Sequence, residues 1–345
     1  MNADQIRSLQ PALAAFLASF RGCFKRAATF GHLQCYLLGL MTELPRKSIE
    51  PIALAAGVAV RTLQEFLQFF AWDERRVSAL LQQRVMDQHA SEHAIGVIDA
   101  CGHAKKGDKT PGVQRQWCGE LPGAGKIDNC VVGQHLLYTD NDARNPFTCV
   151  IASDLYLSES WAGDHARRRE AHIPDHVVYR PKWRIALDQV KEAIGQGVRF
   201  AWLTFDEEYG SVAAFWFGLD ALGQRAIGEA RANFRCWPSR PKYASLQGAF
   251  APRRIDQVCR RSPVFIRQSW RTLTVKDTTR GPAVWRVKTA RMHLVDATGP
   301  TPRPTDRRYW LIIARHAKTG ETKYFVSNAP ASASVKDMMR AALAR

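Results

Sequence analysis

The chain has 345 residues, 46% hydrophobic and 23% charged, a composition that excludes disordered, collagen-like and coiled-coil architectures. Its 49 Lys+Arg against 32 Asp+Glu leave a net charge of +17. The excess is local: residues 231–345 hold 24 Lys+Arg and 6 Asp+Glu, a net of +18, whereas residues 1–230 hold 25 and 26. A polyanion is therefore the expected partner of the last third. The basic residues are interleaved with Trp, Tyr and β-branched side chains, which argues against a membrane-surface helix. No apolar run reaches membrane-spanning length and no signal peptide opens the chain, so a soluble cytoplasmic protein with no membrane partner is expected. The eight cysteines are scattered without a Cys-x-x-Cys, which predicts reduced, packed thiols and no zinc site.

In chain order, residues 1–90 read as helical. Behind a candidate N-cap at Asp4, Ile6, Leu9, Leu13, Phe16, Leu17 and Phe20 share one helical face, and a second helix covers Cys35–Met41. Ser48 to Leu67 reads helix, Gly57 turn, helix, which is the shape of a helix-turn-helix and equally of a plain αα-hairpin. From residue 94 the pattern changes to strands: Ala94–Asp99, Gly112–Trp117, Asn129–Tyr138 and Phe147–Ser153. An amphipathic helix with Trp183, Ala186, Leu187, Val190 and Ile194 on one face follows, stopped by Gly195 and Gly197. Phe200–Phe205 is a buried-looking strand that ends on Asp206. This order predicts a mixed-sheet α/β domain. Residues 238–308 read as a basic β-rich insertion, Tyr309–Ala314 and Lys323–Ser327 as closing strands, and a last helix runs from Ser334 into Arg345.

Two aspartates, Asp99 and Asp206, stand at the ends of apolar strands. Paired acids at a sheet edge can hold hard divalent cations through oxygen, although a turn or N-cap aspartate would look the same. Lys105, Lys106 and Arg115 follow the first acid and suit a phosphodiester. Within the basic last third, Arg253, Arg254, Arg260, Arg261 and Arg271 are candidate DNA contacts. Gly119–Lys126 resembles a phosphate loop, but its first glycine is one position too far and Ile127 replaces the Ser/Thr, so it reads as a turn. His172 and His176 are separated by Pro174, which removes a shared helix face. Arg167–Glu170 reads as a solvated helix face.

The combination resembles bacterial insertion-sequence transposases of the DDE (Asp-Asp-Glu) superfamily, IS701 group within the IS4-like enzymes. The matching segments are Arg46–Ala53, Trp72-Asp73, Val97–Asp99 with Lys105–Gly107, Gly112–Gly119, and Gly125–Gly133. Further on are Leu155–Leu157 with Trp161, Asp164 and Arg168, then Ile173-Pro174, Trp202 with Asp206, Tyr209 and Gly210, and Lys323–Asn328. The resemblance implies a ribonuclease-H-like mixed sheet with a β-rich insertion, preceded by an N-terminal all-α domain. The expected division is 1–90 helical, 91–237 first part of the core, 238–308 insertion, and 309–345 closing strands and helix.

It also implies Asp99 and Asp206 as catalytic and metal-ligating acids, Mg²⁺ (with Mn²⁺ as an alternative) as cofactor, terminal inverted repeats and target DNA as partners, and a homodimer. The implied reaction is DNA cleavage and strand transfer by a two-metal mechanism. Two departures stand out. Ala100 replaces a second acid that the family carries after the first Asp. The third acid, on a helix after the closing strands, is missing, and Glu321 sits in a hairpin where it cannot substitute. The expectation is thus a C-terminally truncated, inactive or impaired transposase. The alternatives are a non-catalytic DNA-binding remnant or transposition inhibitor, and another ribonuclease-H-like metal nuclease.

Overall fold

The computed structural model describes residues 9–121, 125–278 and 281–345. The chain forms two units that divide after Val85. The first contains α1 (Gln10–Ala18), α2 (Ala27–Met41), α3 (Ile49–Ala55), α4 (Val60–Gln68) and most of α5 (Glu74–His89). Asp4 and Ile6 lie outside the described residues; α1 carries Pro11 in its first turn, where a missing N–H costs nothing. Leu17, Phe20, Phe24, Phe30 and Phe66 form the core of this unit, and Trp72 stacks on Phe24 and Phe66 with centroids 5.9 and 5.0 Å away.

Between α3 and α4 the chain turns at Gly57, whose φ of +65° suits a residue without Cβ. Ile52, Ala53 and Leu63 of this helix pair bury against Cys35, Tyr36 and Leu40 of α2. The one basic residue of α4, Arg61, is 2.9 Å from Glu65.

The second unit continues through β1 (Ile95–Ala104), β2 (Gln114–Cys118), β3 (Lys126–Thr139), β4 (Thr148–Leu155), α6 (Glu159–Ala162), α7 (His165–Glu170), α8 (Lys182–Gly195), β5 (Trp202–Phe205), α9 (Glu207–Gly210), α10 (Ala213–Ala221) and β6 (Ala226–Glu229). After these come β7 (Arg235–Trp237), β8 (Arg253–Arg254), α11 (Ile255–Arg261), α12 (Pro263–Ile266), β9 (Arg271–Thr278), β10 (Gly281–Asp296), β11 (Arg303–Pro304), β12 (Tyr309–His316), β13 (Thr322–Ser327) and α13 (Val335–Ala342).

The strands form one sheet in the order β2-β3-β1-β5-β6-β13-β12-β10-β7-β8. β1, β5 and β6 run parallel at its centre, and β3 and β4 are antiparallel on one side, a ribonuclease-H-like mixed sheet. On the other side β10 pairs with β12, and β9 joins through β10, so these basic strands extend the same sheet. The 238–308 stretch is not strand throughout: Ile255, Val258, Cys259 and Phe265 bury one side of α11 and α12.

Alternation assigns the two faces. Ile95 and Val97 point toward α13, where Ile312, Phe325, Met338 and Met339 complete a core. Phe205 points the other way, against Phe215 and Trp216 of α10, with centroids 4.9 and 5.2 Å apart. The sequence pattern is corrected in four places. Helix α8 buries Ala186 and Val190 of the expected face together with Ile185, Gln189 and Ala193, while Trp183, Leu187 and Ile194 are half-buried and Leu187 packs beside Gly218 of α10, so the helix is covered on two sides. Arg168 is not solvated: it is buried and its guanidinium donates to the carbonyls of Ala162 and Pro174, at 3.3 and 2.9 Å. Helix α13 stops at Ala342, before Arg345. The fourth concerns Asp99 and belongs to the site.

Candidate active site

Strand β1 does not end at Asp99. It runs on to Ala104 because β3 pairs with it over its whole length, from Ile95↔Thr139 to Ala104↔Cys130. What ends near Asp99 is the parallel neighbour: the last β1–β5 pair is Ile98↔Phe205. The next residues are Asp99 on β1 and Asp206, the N-cap of α9, so each acid follows one member of the last pair between these two strands. Alternation places Asp99 on the face of Val97, opposite Ile98. Ala100 belongs to the other face, in a small cluster with Cys118, Cys130 and Val132. An acid at position 100 would therefore point away from Asp99.

Each carboxylate is held by a backbone amide. Asp206 caps α9, one oxygen accepting from the Glu208 amide at 2.9 Å, and Asp99 accepts from the Ala100 amide at 2.8 Å. Burial pushes the Asp206 carboxyl above the ordinary range; the Glu208 amide and Arg345 oppose this, and Glu207 and Glu208 add to it. The Arg345 guanidinium is 3.9 Å from the second Asp206 oxygen, too far for a hydrogen bond.

A buried amide ties the two acids together. Gln134 of β3 is completely buried and donates to the Asp99 carbonyl at 3.1 Å. Its side-chain oxygen accepts from the hydroxyl of Tyr209, three residues after Asp206, and its backbone carbonyl accepts from Gln189 of α8 at 3.0 Å. Gly210 lets this turn approach the sheet: a Cβ there would fall 1.9 Å from the Glu229 carbonyl oxygen. His135, paired with Asp99 across β1–β3, is pushed down by burial and then by His103, with Asp99 opposing. Its Nδ1 lies 2.8 Å from the Ser153 hydroxyl. Burial and then Glu120 raise the thiol of Cys101, two residues along the same face as Asp99.

The arrangement suits a hard divalent cation. Each acid keeps one carboxylate oxygen that no backbone amide takes, and both oxygens are hard donors. Among the described residues no third His, Cys, Asp or Glu converges with them. Glu321 lies in the turn before β13, 3.7 Å from Lys323.

The basic candidates lie elsewhere. Lys105 and Lys106 follow the end of β1, in a turn whose Lys105 and Gly107 carbonyls accept from Asn129 at 2.9 and 2.7 Å. Arg115 sits opposite Asn129 on β2. By strand rise, Lys105 is about 20 Å along from Asp99. Arg253 and Arg254 form the opposite edge of the sheet from β2. Arg254 and Arg260 both clasp Asp256, at 3.1 and 2.7 Å, while Arg253, Arg261 and Arg271 are exposed. The structure thus brings the two acids together and separates the basic candidates into groups. Gln134 and Tyr209 were not legible as site residues, since only the strand register shows that they meet.

The DDE superfamily endonuclease profile matches residues 19–282, and the chain belongs to that family. It is also similar to a probable transposase for insertion sequence element IS701 from Microchaete diplosiphon, 27% identical over 218 residues. That alignment covers 62% of this chain and 52% of the relative, so the chain spans about half the length of the curated relative it matches. No helix among the described residues is long and apolar enough to cross a membrane.

Proposed function

We propose that the chain is an insertion-sequence transposase that acts on DNA at element ends, with Asp99 and Asp206 as two of its metal-ligating acids. The observation that carries this reading is the Ile98↔Phe205 parallel pair, each member of which is followed directly by one of the acids. Asp99 and Asp206 would hold Mg²⁺ or Mn²⁺ through their remaining oxygens. Such an ion supplies charge stabilisation at a phosphodiester and a more acidic bound water. Gln134 and Tyr209 fix the spacing of the acids, and the Glu208 and Ala100 amides orient their carboxylates.

Slow cleavage is expected on this reading, because no third acid converges among the described residues and two carboxylates hold a hard cation less firmly than three. The test is nicking of a duplex carrying the element's terminal repeat, with Mn²⁺ and with chelator. Slow, metal-dependent nicking that disappears in Asp206→Ala is expected. Rates typical of a complete enzyme would overturn this expectation, and nicking that survives Asp206→Ala would overturn the acid assignment.

A further inference from the structure

Strand β10 places Arg286 directly opposite Arg315 of β12. Both are exposed, and like charges directly opposite in an antiparallel pair destabilise a sheet. Alternation puts Lys288 on the same face, two residues from Arg286, away from the core that holds Trp285 and Val287. Trp270 lies between two of these cations, with the Lys288 ammonium and the Arg315 guanidinium each 5.1 Å from its ring. The Lys288 ammonium also donates to the Phe265 carbonyl at 2.8 Å, which fixes its position.

No carboxylate pairs with Arg286, Lys288 or Arg315 among the described residues. The acids of the last third are engaged elsewhere: Asp256 with Arg254 and Arg260, Asp296 with Arg303, Asp306 with Arg240, Glu321 with Lys323, and Asp337 with Arg340. The remaining acid, Asp277, has a side chain outside the described set. Arg286 and Arg315 also lie beyond residue 282, where the family match ends.

We infer that the face formed by Arg286, Lys288, Arg315 and Trp270 is a docking surface for the phosphate backbone of duplex DNA. The inference rests on the reading of the chain as a DNA-acting enzyme, but it needs no bound metal. Three cations at alternate positions of adjacent strands form a compact positive patch, and adjacent phosphates on a duplex supply the counter-charge that the protein withholds. The cation–aromatic contacts hold Lys288 and Arg315 in place before DNA arrives, which lowers the ordering cost of binding. Contacts of this kind fix register and orientation without reading bases.

The test is equilibrium binding of a fluorescently labelled duplex to the full chain, in chelator, over a series of salt concentrations. Arg286→Gln with Arg315→Gln is expected to weaken binding by about tenfold and to lower the salt slope by about 2. Its melting temperature should be unchanged or higher, because a repulsive pair has been removed. Arg184→Gln, on α8, removes a charge outside this face and should leave affinity almost unchanged. Unchanged affinity and slope in the folded double variant, or an equal loss per charge in Arg184→Gln, would overturn the inference. Because no divalent ion is present, that failure is separate from a failure of Asp99 and Asp206 to support cleavage.

Discussion

Asp206 and Asp256 are both carboxylates close to helix starts in the same unit, yet their surroundings differ. Asp256 is buried in α11 between Arg254 and Arg260; burial pushes its carboxyl up, but hydrogen bonds and charge from the two arginines outweigh this and hold it low. Asp206 has the same burial effect without such a clasp, and its carboxyl is held high. One acid is satisfied and stabilises the fold. The other is held high by burial, with the Glu208 amide and the Arg345 guanidinium only partly offsetting it. Arg286 and Arg315 repeat the contrast with opposite sign, since they face each other while Arg254 and Arg260 share an acid.

The comparison can be broken first at the acids. Asp99→Ala should reduce metal-dependent nicking by more than the ~10–100-fold that follows loss of an outer partner of a metal ligand. Nicking at the unaltered rate would remove Asp99 from the site. Next in size is the support beneath Asp206. Gly210→Ala forces a Cβ against the Glu229 carbonyl and should cost about 3 kcal/mol or more, read from denaturant unfolding. A wild-type unfolding midpoint would mean that α9 can move away from β6 without penalty.

The clasped acid should show a smaller stability effect. Asp256→Asn is expected to destabilise by about 1–3 kcal/mol, with the lower end favoured because both arginines are partly exposed. Its pH dependence has a definite sign. A carboxyl held low in the fold stabilises above the ordinary carboxylate pKa, and that contribution is lost as pH falls through the folded value. The gap between wild type and Asp256→Asn should therefore close in acid. A gap that is constant with pH would assign the effect to packing.

The mildest change is at Asp206, where the sign reverses. A carboxyl held high in the fold favours the folded state when protonated, so stability falls as pH rises from the unfolded pKa through the folded one. Asp206→Asn removes that ionisation and should raise stability at neutral pH in chelator, with little gain in acid. A loss of stability at neutral pH would show that the charged carboxylate is structurally satisfied.

The apolar runs made β5, β12 and β13 legible, because buried central strands must be continuous in hydrophobic residues. They located Asp206 just after its strand for the same reason. Asp99 misled: its run loses apolar character where β5 stops, but the strand itself continues on the pairing with β3. Arg168 looked solvated because its partners are backbone carbonyls, which leave no pattern in composition. Gln134 and Tyr209 are 75 positions apart, and the repulsion of Arg286 and Arg315 exists only in one register. The sequence pattern therefore reports burial well and long-range polar partners poorly.

The central claim is that Asp99 and Asp206 hold one divalent cation between them. Calorimetric titration of Mn²⁺ into the full chain, Asp99→Asn and Asp206→Asn tests it without any need for turnover. The account predicts saturable binding by wild type that weakens by at least about tenfold in each variant. Binding of equal strength in all three would contradict it.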